Sequence, residues 1–286
     1  MIASLRDLFA RLRSVTDGGL RRARADGGFV TLVGAGPGAA DLLTLGGLKA
    51  LQEADVVLYD RLVGADVLAL IPDHVQLEDV GKLTGQDHQQ TQLRIGERLL
   101  TLARAGQRVV RLKGGDPFIF GRGGEELAVL AAHDIPFAVL PGVTAALGCA
   151  AYAGIPLTHR DFAQQVTFVT AHCQRSIDRV DWAALGQSNH TVVFYMGVAQ
   201  LPVIEQRLLA AGRRGETPIA LIERGSTAQQ RVILGRLSAL AALGADQAVI
   251  APSLVIVGEV AALGAELAWF TQPVLAASAA QDAAAA

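Results

Sequence analysis

The sequence predicts a two-domain α/β protein. Three observations carry that expectation. Short unbroken Val, Leu and Ile runs alternate with helical patterns from Phe29 onward, the rhythm changes at Gly154–Asp161, and two later apolar runs lie too close together for a helical crossover. Unbroken apolar strands separated by helices indicate a parallel sheet covered on both faces. The expected strands of this first sheet are 29–34, 55–59, 75–80, 108–113 and 136–140, with helices over 41–54, 91–105 and 124–133. Beyond Gly154 come runs at 166–170, 191–196, 218–222, 231–235 and 254–257. The run at 231–235 follows its predecessor so closely that part of the second sheet is expected to be antiparallel. The domains are placed at 29–154 and 155–271, with a ligand cleft between them, since ligands favour such clefts. Residues 1–28 place Ile2, Leu5, Leu8, Phe9 and Leu12 at helical spacing among arginines, which reads as an amphipathic extension with a Gly-rich linker. Residues 272–286 form an Ala-rich tail without a packing pattern and are expected to be disordered.

Composition narrows the function classes. The 286 residues are 51% hydrophobic and 18% charged, enough to bury a sizeable core. The longest apolar runs, such as Phe137–Leu140, are far too short to span a bilayer. With 25 basic and 27 acidic residues, no global field draws nucleic acid or anionic lipid. Cys149 and Cys173 have neither disulfide-framework nor metal-ligand spacing, which fits a reducing, cytoplasmic setting. Only Lys49, Lys82 and Lys113 are lysines, against 22 arginines, and two of the three adjoin glycines.

The chemistry concentrates in glycine-rich strand ends. Gly34-Ala-Gly-Pro-Gly-Ala39 follows a strand, precedes a helix and fits G-x-G-x-x-A, with Asp60 ending the next strand. This pattern suits a nucleotide-like ligand or a bare tight turn. Two details weaken a dinucleotide: Pro37 lacks an N–H, and Asp41 puts negative charge at the helix start. The segment Arg111–Glu126 holds a second cluster. Gly114 and Gly115 permit close backbone approach, Asp116 offers acceptors for ribose hydroxyls or an amino group, and Arg122 and Glu125 share a helical face. Pro141–Ala146 is the third. All three are expected at one edge of one sheet.

The residues in Val33–Gly38, Leu42–Leu45, Val57–Val63, Arg108–Glu126, Pro141–Ala145, Ala151–Asp161, Val193–Gly197 and Gly225–Val232 closely resemble the uroporphyrinogen-III C-methyltransferases, a branch of the tetrapyrrole methylases. The resemblance spans about residues 30–270. It implies a two-domain tetrapyrrole methylase fold, usually a homodimer, with a mostly parallel first sheet and a mixed second one. It further implies transfer of two methyl groups from S-adenosyl-L-methionine to uroporphyrinogen III, giving precorrin-2 through precorrin-1 and leaving S-adenosyl-L-homocysteine. Such products feed sirohaem, cobalamin or haem d1 synthesis. The sulfonium is the electrophile, so no metal is needed, and the enzyme aligns a carbon nucleophile and then removes a proton.

By the same resemblance, Pro37, Gly114, Gly115, Asp116, Ile119, Thr144, Ala145, Met196 and Gly225 face the cofactor. Read alone, Met196 is a core residue. Asp60 and Lys82 occupy positions assigned to proton transfer, and Arg122, Glu125 and Arg160 positions linked to substrate and deprotonation. Arginine is a poor base, so Glu125 and Asp60 are the expected proton acceptors. The arginines, Arg61 included, are expected to hold the eight carboxylates of the acceptor. His172 and Met196 are expected on the substrate side, although a lone histidine is more often structural.

One stretch departs from the family: Leu83 stands after Gly81-Lys82 where an arginine is usual. Many sirohaem enzymes carry a fused dehydrogenase–chelatase module. Residues 1–28 are too short for one, so those steps are expected on another chain. The competing readings are a methylase of later corrin intermediates, an NAD-dependent oxidoreductase, supported by the first loop and Asp60 alone, and a non-catalytic tetrapyrrole carrier.

Overall fold

The computed structural model describes residues 28–81, 88–186, 189–270 and 275–276. They fall into two compact units that divide between Thr144 and Ala145. The division precedes the one expected at Gly154 because helix Ala145–Tyr152 buries Ala146, Cys149 and Ala150 against strands of the second sheet.

In the first unit, β1 (Phe29–Gly34), β2 (Val56–Tyr59), β3 (Gln76–Asp79), β4 (Arg108–Lys113) and β5 (Phe137–Leu140) form a sheet in the order β3-β2-β4-β1-β5. Every pairing is parallel, with Val30 opposite both Val109 and Phe137. Period-two alternation sends the runs to both faces. Val33, Val57, Val110 and Leu112 pack with Ala50 and Leu51 of helix Leu45–Glu53. Val30, Leu32, Val56, Leu58 and Val109 pack with Ile95 and Leu99 of helix His88–Arg104 and Leu130 of helix Gly123–Ala131. The continuous helix expected over 41–54 is instead a 3-10 turn, Ala40–Leu42, followed by helix Leu45–Glu53. Thr44 causes the break: its extended backbone starts the second helix, and its hydroxyl accepts from Gly47 N at 3.0 Å as an N-cap.

The second unit is a mixed sheet ordered β11-β9-β8-β10-β7-β6. Its strands are β6 (Gln165–Thr170), β7 (His190–Tyr195), β8 (Pro218–Glu223), β9 (Arg231–Arg236), β10 (Ser253–Val257) and β11 (Leu275–Ala276). β8 and β9 are antiparallel neighbours, as their short separation requires, while β6 and β7 are parallel. One face packs Val192, Phe194, Leu221 and Val255 against helix Leu201–Ala210, and the other packs Val193, Ile222 and Ile256 against helix Ala145–Tyr152. Arg213 is buried and donates to the carbonyls of Leu185, His190 and Val257, which links the segment before β8 to the start of β7 and the end of β10. The expected disordered tail contains β11, which runs parallel to β9 opposite Ile233 and Leu234. An open sheet edge offers unpaired N–H and C=O groups to any backbone, so side-chain patterning does not announce such a strand. The remainder of 272–286 and the amphipathic segment 1–27 lie outside the described residues.

Asp55 links the starts of β2 and β4, accepting from Arg108 N at 2.7 Å and from Arg108 Nη2 at 2.7 Å. The Arg108 side chain holds its carboxyl below the ordinary value of 3.8. A depressed folded value means stabilisation that is complete above the unfolded value and lost as pH falls through the folded one. Asp55→Asn is therefore expected to flatten the decline of the urea midpoint below about pH 4. The change should amount to no more than about 1 kcal/mol, because the pair is partly solvent-exposed.

Candidate active site

The sequence places glycines where β1, β4 and β5 end, and in the sheet these strands are neighbours in the order β4-β1-β5. Their loops are locked together. Ala35 N donates to Lys113 O at 2.8 Å, and Gly36 and Gly115 exchange two backbone hydrogen bonds of 3.2 and 2.7 Å. Asp116 extends the lock: Oδ1 accepts from Phe118 N at 2.8 Å and Ile119 N at 3.2 Å, while Oδ2 accepts from Gly142 N at 3.1 Å. A Cβ on Gly34 would lie 2.4 Å from Gly142 N, and one on Gly142 would lie 2.3 Å from Gly115 O. Only glycine allows backbones that close.

Several expected residues of this unit gather around the lock. Pro37, Gly114 and Gly115 are half-buried, and Ile119 is exposed. Gly114 abuts Leu62, whose Cβ would be 2.9 Å from an added methyl group. Asp116 therefore ties loops together with both carboxylate oxygens, a role that its type and position alone did not suggest.

Arg122 and Glu125 form a bidentate pair, Nε to Oε1 at 2.9 Å and Nη2 to Oε2 at 2.6 Å. Arg122 adopts the left-handed conformation (φ 57°) just before helix Gly123–Ala131. Its hydrogen bonds hold the Glu125 carboxyl below the ordinary range, which weakens Glu125 as a base. Arg61 lies 3.9 Å from Asp79 at the surface. Lys82 lies outside the described residues.

Sequence reasoning missed a buried charge cluster beneath the loops. Arg111 and Lys113 are 1% and 3% exposed, and both meet Glu126, itself 1% exposed. Glu126 Oε1 accepts from Arg111 Nε at 3.1 Å, Lys113 Nζ at 3.0 Å and Gln92 Nε2 at 3.0 Å. Arg111 Nη2 donates to Asp60 Oδ1 at 2.5 Å, and Lys113 Nζ lies 3.8 Å from Asp60 Oδ2. The available signal was the spacing. Two cations two residues apart, in a strand expected to be apolar on both faces, must share one face and need partners there.

The remaining site residues divide at the unit boundary. Thr144, the last residue of the first unit, is buried. Half-buried Ala145 opens helix Ala145–Tyr152, whose Ala146 N donates to the Tyr195 hydroxyl at 2.9 Å. Met196 follows β7 and is 45% exposed with φ 57°, so it is not the core residue its type suggests. A bulky non-glycine residue in that region marks a conformation held by its surroundings. Gly225 is buried where a Cβ would meet Cys149 Sγ at 2.3 Å, and burial pushes that thiol up to about 12. Here the glycine serves packing against the helix. His172 and Arg160 are both exposed, and Arg160 O accepts from Gln164 Nε2 at 2.7 Å.

Comparison with known proteins places this arrangement. Residues 30–241 match the tetrapyrrole (corrin/porphyrin) methylases. The chain belongs to this family. The siroheme synthase of Xylella fastidiosa (strain M12) is 58% identical over 245 residues, covering 86% of this chain and 51% of that protein. The siroheme synthase of Tolumonas auensis (strain DSM 9187 / NBRC 110442 / TA 4) is 57% identical over 244 residues, 85% of this chain and 52% of its own. The chain thus spans about half the length of these curated relatives. Among solved structures, the uroporphyrin-III C-methyltransferase of Thermus thermophilus, complexed with S-adenyl homocysteine, superposes with a TM-score of 0.70 at 42% identity. That match covers 82% of this chain and 93% of the other. A cobalt precorrin-4 methyltransferase gives a TM-score of 0.73 at 25% identity, over 82% of this chain and 95% of that one. The tetrapyrrole methylase fold, with its parallel first sheet and mixed second sheet, is as the resemblance implied.

Gly142→Ala tests the loop lock. Forcing its backbone off Gly115 O should destabilise the protein by about 1–3 kcal/mol, read from urea denaturation.

Proposed function

We propose that this chain transfers two methyl groups from S-adenosyl-L-methionine to ring carbons of uroporphyrinogen III, forming precorrin-2 by way of precorrin-1. The observation that carries the reading is the locked set of glycine loops at β4-β1-β5. It occurs in a chain 42% identical to a uroporphyrin-III C-methyltransferase solved with S-adenyl homocysteine. The residues fit such a cofactor. Half-buried Gly114 and Gly115 leave backbone accessible beside exposed Ile119, and Pro37 removes an N–H that a pyrophosphate ligand would use. This combination favours S-adenosyl-L-methionine over a dinucleotide. When bound, the cofactor supplies a methyl group activated by its positive sulfonium.

The chain's own residues then orient the acceptor and take its proton. Asp60 is the proposed proton acceptor, and Lys82 is likewise proposed for proton transfer. Glu125 is weakened as a base by Arg122. Arg61, Arg122 and Arg160 are proposed to receive acceptor carboxylates, with His172 on the substrate side. Pro37, Gly114, Gly115, Asp116, Ile119, Thr144, Ala145, Met196 and Gly225 are proposed to serve the cofactor; in this role Asp116 acts by holding the loops. A supply to sirohaem synthesis, a homodimeric state and a cytoplasmic location complete the proposal. Among the described residues no helix is long and apolar enough to cross a membrane.

An anaerobic incubation with uroporphyrinogen III and S-adenosyl-L-methionine, followed by product mass, is expected to show the gain of two methyl groups. A later corrin substrate is the second reading, favoured by the TM-score of 0.73 to the cobalt precorrin-4 enzyme, and absence of transfer to uroporphyrinogen III would turn the assignment towards it. Asp60→Asn is expected to lower kcat by about 10²–10⁴-fold, the range for loss of a general base. Glu125→Gln is expected to cost less than Asp60→Asn in the same assay.

A further inference from the structure

A buried ion pair is a poor device for stability, because apolar residues of similar volume often serve as well or better. The first unit nonetheless buries a guanidinium, an ammonium and a carboxylate next to its glycine loops. The bonding of Arg111 explains what that arrangement does. Its Nε donates to Glu126 Oε1 at 3.1 Å, and its Nη1 donates to Leu112 O at 3.1 Å and Leu58 O at 3.4 Å. These bonds fix the plane of the guanidinium from inside the sheet. The remaining nitrogen, Nη2, holds Asp60 Oδ1 at 2.5 Å.

Asp60 is the member of the cluster that reaches solvent, with its side chain 29% exposed. Its backbone is also held, N donating to Leu112 O at 3.3 Å and O accepting from Val63 N at 3.0 Å. We propose that Arg111, anchored by Glu126, is a positioning residue that fixes the carboxylate of Asp60 for proton removal. The proposal rests on the reading of Asp60 as proton acceptor.

The two buried cations differ in suitability. Burial works against the charged guanidinium of Arg111, but Asp60 and Glu126 outweigh it and keep its pKa above the ordinary range. Lys113 moves the other way: burial first, then repulsion from Arg111, lowers its pKa. Arg111 is thus the permanent charge, with a planar fork that spans Glu126 and Asp60 at once. A lysine end group at the same place is a point charge without that fork.

The test is a double-mutant cycle in the full chain, using uroporphyrinogen III and S-adenosyl-L-methionine. Arg111→Lys is expected to lower kcat by about 10²-fold, as a misplaced catalytic group does. Its KM for S-adenosyl-L-methionine should stay within about twofold of the wild type. Combined with Asp60→Asn, it should add little, because its effect passes through Asp60. Losses that multiply, or a loss confined to KM, would overturn the positioning role. Where Asp60→Asn is too slow to measure, the split between kcat and KM in Arg111→Lys decides. Should Arg111→Lys fail to fold by circular dichroism, Glu126→Gln takes its place. That variant keeps the volume and the Arg111 charge, and its kcat loss should likewise be non-additive with Asp60→Asn. Wild-type turnover in Asp60→Asn would overturn the reading of Asp60 and this proposal with it. Full loss there, beside an unimpaired Arg111→Lys, would overturn the proposal alone.

Discussion

Three backbones meet at Gly34, Gly115 and Gly142 more closely than any side chain permits, and the organisation of the first unit follows from that contact. Neighbouring parallel strands ordinarily diverge into their own loops once the ladder ends. Here β1 and β4 continue to pair through Gly36 and Gly115, and Asp116 draws in the loop after β5. The strand ends therefore present a fixed backbone surface instead of three independent turns. A ligand bound there meets groups already in place, and the ordering cost has been met in folding.

The same sheet has two unlike faces. Towards helix Leu45–Glu53 it buries Val33, Val57, Val110 and Leu112. Towards helices His88–Arg104 and Gly123–Ala131 it is apolar at Val30, Val56, Leu58 and Val109, then charged at Arg111 and Lys113 as β4 approaches its end. Stability comes from the apolar portions. Glu126 shows the cost of the charged portion: one carboxylate oxygen gathers three donors, while the other has no hydrogen-bond partner among the described residues. Such a site is best explained by what it holds rather than by what it contributes to folding.

What could be read from the sequence follows the range of the interactions involved. β1 and β2 announce themselves, because each is a local apolar run whose burial on both faces needs no knowledge of its partners, whereas β3 is a short, mostly exposed polar edge. The β8–β9 hairpin is equally local, set by a short connection. The break at Thr44 is a single capping hydrogen bond that overrides a continuous helical pattern. Gly225 resembles the other loop glycines in sequence, yet it is small because Cys149, far away in the chain, lies against it. Met196 has a type that, read without the resemblance, suits a core, yet it follows β7 with a left-handed backbone and stands 45% exposed. The Arg111 cluster is the hardest case. Its partners come from another strand and two helices, so only the unsatisfied pair of cations in β4 hints at it.

On the proposed reading, the arginines divide into two kinds according to how much water they see. Arg122 and Arg61 already face acids, but these pairs are exposed, with side chains 39% and 57% accessible for Arg122 and Glu125, and 52% and 44% for Arg61 and Asp79. Exposed pairs are worth about 0–1 kcal/mol, so exchanging the internal carboxylate for one from a polycarboxylate substrate costs little. The internal acids keep the guanidiniums oriented until such a ligand arrives. Arg111 cannot make that exchange, because releasing Asp60 or Glu126 would strand a charge in the core. Exposed arginines can therefore bind and release while the buried Arg111 stays fixed. This division suits a chain with 22 arginines and three lysines, since the planar guanidinium alone offers a fork to two carboxylates.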